Sequence, residues 1–91
     1  MTYSFEVTAA TKAEAKQKIA KEFDNVVAYQ PIHAADRAPA QAAGEAFIDA
    51  LIDPPDGQEI YVNIYGSVGC RGEKDITGAN VSVRALLTPK R

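Results

Sequence analysis

The sequence predicts an α+β domain. It is a two-layer sandwich of order β-α-α-β-β, with a three-stranded antiparallel sheet covered on one face by two helices. Three observations predict it. Apolar residues alternate with polar ones in three separate stretches, residues 2–8, 59–68 and 79–88. Two stretches between the first and second carry the helical period instead. Proline and glycine punctuate the boundaries. The 91 residues, 46% hydrophobic and 24% charged, suit one domain over 1–91 and argue against disorder.

In the first stretch Tyr3, Phe5 and Val7 share one side, and Ser4, Glu6 and Thr8 the other, as in a half-buried strand. Thr11-Lys12-Ala13-Glu14 then reads as a capping box. The Thr11 hydroxyl accepts from the Glu14 amide while the Glu14 carboxylate reaches back. The helix it opens is expected over 12–28, with Ala15, Ile19, Phe23, Val26 and Val27 as its apolar stripe. Glu14–Lys18 and Lys18–Glu22 form i,i+4 pairs on it. Pro31 stops it, because helical geometry is disfavoured at the preceding Gln30.

Asp36 is the N-cap candidate of the second helix, with Pro39 in the first turn, where a missing N–H breaks no intrahelical bond. Ala40, Ala43, Phe47 and Leu51 share a face there, with Gly44, Ile48 and Ile52 nearby. The small residues predict close approach to another backbone. Asp53-Pro54-Pro55-Asp56-Gly57 ends the helix. In the two later strands Ile60, Val62 and Ile64 alternate with Tyr61, Asn63 and Tyr65, and Val81, Val83, Ala85 and Leu87 with Ser82, Arg84 and Leu86. They read as a hairpin with a long tip over 66–78. The first strand fits either at an edge or between the other two.

Charge and cysteine content narrow the function classes. A net charge of −2 and a pI near 5.3 do not favour generic adhesion to nucleic acid or anionic membrane. Cys70 is alone, so no intramolecular disulfide forms and an intracellular setting is expected. Residues 1–7 carry neither a basic start nor an apolar run, so no export signal and no membrane span are expected. Without export, the acceptor pattern Asn80-Val81-Ser82 has no consequence.

No catalytic constellation emerges. His33 and Asp36 stand three apart, but two ligands are too few for a zinc site and no nucleophile is near, so His33 is read as decorating an inter-helix turn. Cys70 beside Arg71 has no second cysteine to resolve it and is read as an incidental thiol. The glycine-rich run 66–72 lacks the ending of a phosphate loop and leads into a strand rather than a helix N-terminus. Asp49, Asp53, Asp56 and Glu59 read as a solvated acidic cluster. Neither a cofactor nor a metal is expected.

The side of the sheet away from the helices is the candidate binding surface. Alternation places Tyr61, Asn63, Tyr65, Ser82 and Arg84 there, joined by Ser4 and Glu6, with Arg71 in the hairpin tip as a further candidate. Tyrosines on a flat polar surface suit protein interfaces, and they also suit stacking on unpaired bases.

Several segments resemble small phage and prophage proteins: Tyr3-Ser4-Phe5, Ala10-Thr11-Lys12-Ala13-Glu14-Ala15-Lys16, His33-Ala34-Ala35-Asp36-Arg37, Ala46-Phe47-Ile48-Asp49 and Gly66-Ser67-Val68-Gly69. The resemblance implies a viral gene expressed in a bacterial cytoplasm, and it brings no catalytic residues with it. The expectation is a non-enzymatic accessory protein acting through a protein partner, either a host factor or a second copy of itself. The alternative is a nucleic-acid accessory protein of replication or recombination. A minor enzyme or metal protein centred on His33 ranks last.

Overall fold

The computed structural model describes residues 1–70 and 76–90. Strand β1 (Thr2–Ala9) leads to helix α1 (Lys12–Tyr29), a 3-10 turn (Pro31–Ala35), helix α2 (Arg37–Asp49) and the antiparallel strands β2 (Gln58–Cys70) and β3 (Ile76–Pro89). The sheet order is β1-β2-β3, which settles the strand arrangement that alternation left open. β2 is central, so its inward residues Ile60, Val62 and Ile64 are fully buried. Both helices lie on that face, giving the α+β two-layer architecture.

Helix α1 begins where the capping signal places it. Thr11 takes extended backbone geometry and its Oγ1 accepts from the Glu14 amide at 3.1 Å. Only half of the box forms, because the Glu14 carboxylate turns to Lys18 at 3.1 Å. Lys18 also donates to the Thr8 carbonyl at 2.6 Å, which draws it away from the expected Glu22 pairing. Ala15, Ile19 and Phe23 are buried, one per turn, and Val26 packs beside them. The helix ends at Tyr29, two residues before Pro31.

Three expectations for the next segment are corrected. First, residues 31–35 form a 3-10 turn that folds His33 into the interior, 1% exposed, rather than leaving it on the surface. Second, Asp36 occupies the N-cap position without capping. Following the 3-10 turn, its backbone sits at φ −106° and ψ 0° instead of the extended geometry a cap requires. Pro39 at the third helical position also has no N–H to donate to the Asp36 carboxylate. Third, α2 ends at Asp49, and its buried line is Ala40, Gly44 and Ile48, leaving Phe47 about half exposed and Ile52 mostly exposed. Gly44 explains that rotation. A Cβ there would lie 2.9 Å from Ile64 Cδ1 and 3.1 Å from Ile19 Cδ1, so the helix settles on its glycine against the sheet.

The hairpin is longer than alternation suggested. β2 continues through Cys70 and β3 starts at Ile76, so most of the expected 66–78 tip is strand, with a register slip between Gly69 and Cys70. Arg71 and the rest of 71–75 lie outside the described residues. Among the described residues no helix is long and apolar enough to cross a membrane.

Candidate binding surface

In an antiparallel ladder, directly opposed residues point to the same face. The register therefore builds the open face in rows across all three strands. Ser4, Tyr65 and Ser82 form one row, Glu6, Asn63 and Arg84 the next, and Thr8, Tyr61 and Leu86 a third. No element among the described residues covers this face. Four of the candidates named from sequence, Tyr61, Asn63, Tyr65 and Arg84, are thus neighbours on one surface, together with Ser4, Glu6 and Ser82. Arg71, the fifth, falls outside the described residues.

The two tyrosines differ. Tyr61 donates its hydroxyl to Glu6 Oε2 at 2.5 Å. That bond raises the Tyr61 pKa above its ordinary value, because an ionised phenol could not donate. Asn63 donates to the Phe5 carbonyl at 3.4 Å. Tyr65 is 45% exposed. Beside Tyr61 lies a broad open depression of about 720 Å³, bordered by Glu6, Glu59, Arg84, Leu86 and Thr88. Glu6 and Glu59 outnumber Arg84 there.

The helical cations sit in the layer on the other side of the sheet, and besides Lys18, which pairs with Glu14, two more are engaged with carboxylates. Lys16 pairs with Asp49 at 2.6 Å, and Arg37 with Asp24 at 2.6 Å.

Beneath the helices lies a polar cluster that alternation did not reveal. The Tyr3 ring meets the His33 ring edge-on, with centroids 4.6 Å apart. His33 Nε2 is 2.6 Å from Gln30 Oε1, and its Nδ1 is 3.8 Å from Asp36 Oδ1. Tyr3 Oη, His33 Nδ1 and both Asp36 carboxylate oxygens are buried with no hydrogen-bond partner. Burial pushes the Tyr3 phenol up to about 12, and the Asp36 carboxylate adds to the rise. Burial also lowers the His33 pKa, while Asp36 pulls the other way. The only cue in the sequence was the Pro31 to Asp36 spacing, which suits a tight turn as well as a helix start. Among the described residues, no group of three or more histidine, cysteine or acidic side chains is placed to hold a metal ion. Comparison with known family models, curated proteins and solved structures finds no match.

Proposed function

We propose that this chain is a non-enzymatic binding protein whose open sheet face receives a protein partner. One observation carries the reading: an uncovered three-stranded face centred on Tyr61 and Tyr65, with the Tyr61 hydroxyl held by Glu6. A tyrosine fixed in this way loses little side-chain freedom on binding, and aromatic anchors dominate interface energetics. The proposed setting is a bacterial cytoplasm, with a host factor or a second copy of the chain as the partner.

Charge favours a protein over a nucleic acid. The depression beside Tyr61 is bordered by two carboxylates and one guanidinium. Such a surface repels a phosphate backbone. The nucleic-acid alternative predicts salt-dependent binding to single strands, and absence of binding to any oligonucleotide at low salt eliminates it.

The test of the proposal is the double substitution Tyr61→Ser and Tyr65→Ser, compared with the wild type in capture from bacterial lysate. The expected result is loss of a specific captured protein with an unchanged circular dichroism spectrum. Identical captured proteins from both forms would refute it.

A further inference from the structure

The hydrogen-bonding phase of the whole sheet follows from one reciprocal pair. The Met1 amine donates to the Val68 carbonyl at 2.8 Å, and the Val68 amide donates to the Met1 carbonyl at 2.9 Å. Successive residues of an antiparallel strand aim their backbone groups at alternate sides. Even-numbered residues of β2 over 60–68 therefore aim at β1, and the odd-numbered ones aim at β3. Their partners, the even-numbered residues of β3 over 80–88, point back at β2. The Lys90 amide, which donates to the Gly57 carbonyl at 2.8 Å, continues the same phase. The N–H and C=O groups of Val81, Val83, Ala85 and Leu87 are left pointing outward, where the sheet order places no further strand.

The two edges of the sheet are not equivalent. On β1 the outward Thr8 carbonyl is already taken by Lys18. On β3 the only charged side chain in fourteen residues is Arg84. A long, weakly charged edge is a template for strand addition.

We infer that two copies of this chain pair antiparallel along their β3 edges, with Val83 on the two-fold axis, into one continuous six-stranded sheet. Side-chain pairing favours this register over the neighbouring ones centred at Arg84 and Ala85. An axis at Arg84 would set two guanidiniums directly opposite each other, which is repulsive. An axis at Ala85 would oppose Pro89, which has no N–H to give, to Val81 in the regular part of the strand, whereas an axis at Val83 moves it opposite Thr77, beside the register slip. With Val83 on the axis, Val81 faces Ala85 of the second copy, Ser82 faces Arg84, and every outward amide over 79–87 finds a partner. Both helical layers then lie on the same side. Phe47 sits two residues from Asp49, about 200° around α2. Asp49 meets α1 through Lys16, so the half-exposed Phe47 occupies the flank of α2 away from α1. There it would face its counterpart across the axis. The inference concerns the sheet edge and leaves the tyrosine face open on both copies.

Sedimentation equilibrium of the full chain tests it. The expected mass is twice the 9.8 kDa of one chain. Val83→Pro removes an outward N–H at the axis and should give the single-chain mass. Ser82→Glu, an exposed position, sets two carboxylates opposite two arginines and should tighten the dimer roughly fivefold to tenfold. Ser82→Arg should loosen it by a similar factor. A single-chain mass for the wild type at 100 µM overturns the inference, as does a dimer indifferent to both Ser82 variants, which works even if Val83→Pro fails to fold. Tyr61→Ser with Tyr65→Ser should leave the mass doubled, so failure of the edge pairing and failure of the partner-binding face are read separately.

Discussion

Tyr3 and Gly66 are directly opposed across β1 and β2, and the tyrosine ring lies over the glycine so closely that a Cβ on Gly66 would overlap it at Cζ, Cε1 and the hydroxyl. The ring cannot swing aside freely, since Phe5, Phe23 and His33 surround it. Gly66→Ala should therefore destabilise the fold by about 2–3 kcal/mol, the cost of overpacking a filled core. Urea denaturation measures this as a lowered midpoint. A midpoint within experimental error of wild type would show that the ring has room to move.

The buried Tyr3 hydroxyl makes a separate prediction at high pH. Its pKa is near 12 in the folded chain against an ordinary value of 10.0. The folded state resists losing this proton, so the associated stability is complete below pH 10 and is lost as pH rises from 10 to 12. The loss should reach about 2–3 kcal/mol at pH 12, at about 1.4 kcal/mol per unit. Tyr3→Phe should abolish that part of the alkaline loss. At pH 7 it should stabilise by about 1 kcal/mol, because it removes a buried hydroxyl with no partner. Thermal melts of both proteins from pH 7 to 12 compare the two.

His33 gives the opposite slope at low pH. Its pKa is lowered by burial, so as pH falls below about 6.5 the unfolded chain takes up a proton that the folded chain resists. Stability should fall between pH 7 and 5. His33→Gln should flatten that slope relative to its own value at pH 7. An identical acid slope in the variant would place the cause elsewhere.

Gly44 separates two opposing effects. Alanine gains about 1 kcal/mol of helix propensity over glycine. Its Cβ would press on Ile64 Cδ1 and Ile19 Cδ1, both at the ends of flexible side chains. Gly44→Ala should change stability by less than about 1 kcal/mol, whereas Gly44→Leu should lose about 3 kcal/mol by forcing α2 off the sheet. Chemical denaturation of the pair distinguishes a tight seat from an open one.

Much of the fold was legible because its signals are local. Alternation at Ile60, Val62 and Ile64 needs only the next two residues to be read, and the Thr11 cap only the next three. The same alternation put Tyr61 and Tyr65 on the face away from the helices. Strand order was not legible, because opposing Phe5 to Ile64 depends on a closure over most of the chain. The interior position of His33 was missed for a related reason. A lone polar residue between two helices reads as surface unless the 3-10 turn beneath it is known. The seat of α2 turns on the space above Gly44, which no periodicity encodes, so the apolar period groups Phe47 with Ala40 although only Ala40 is buried.

The central place of β2 constrains how the chain acquires its shape. The contacts that seat β1 span 55 and 58 residues, from Tyr61 to Glu6 and from Asn63 to Phe5. During synthesis β1 and both helices leave the ribosome before the strand they need exists, and no smaller sheet is open to them. Loop closure over that length is slow. The nascent chain should thus stay sensitive to protease until residues near 70 have emerged, and then become resistant in one step.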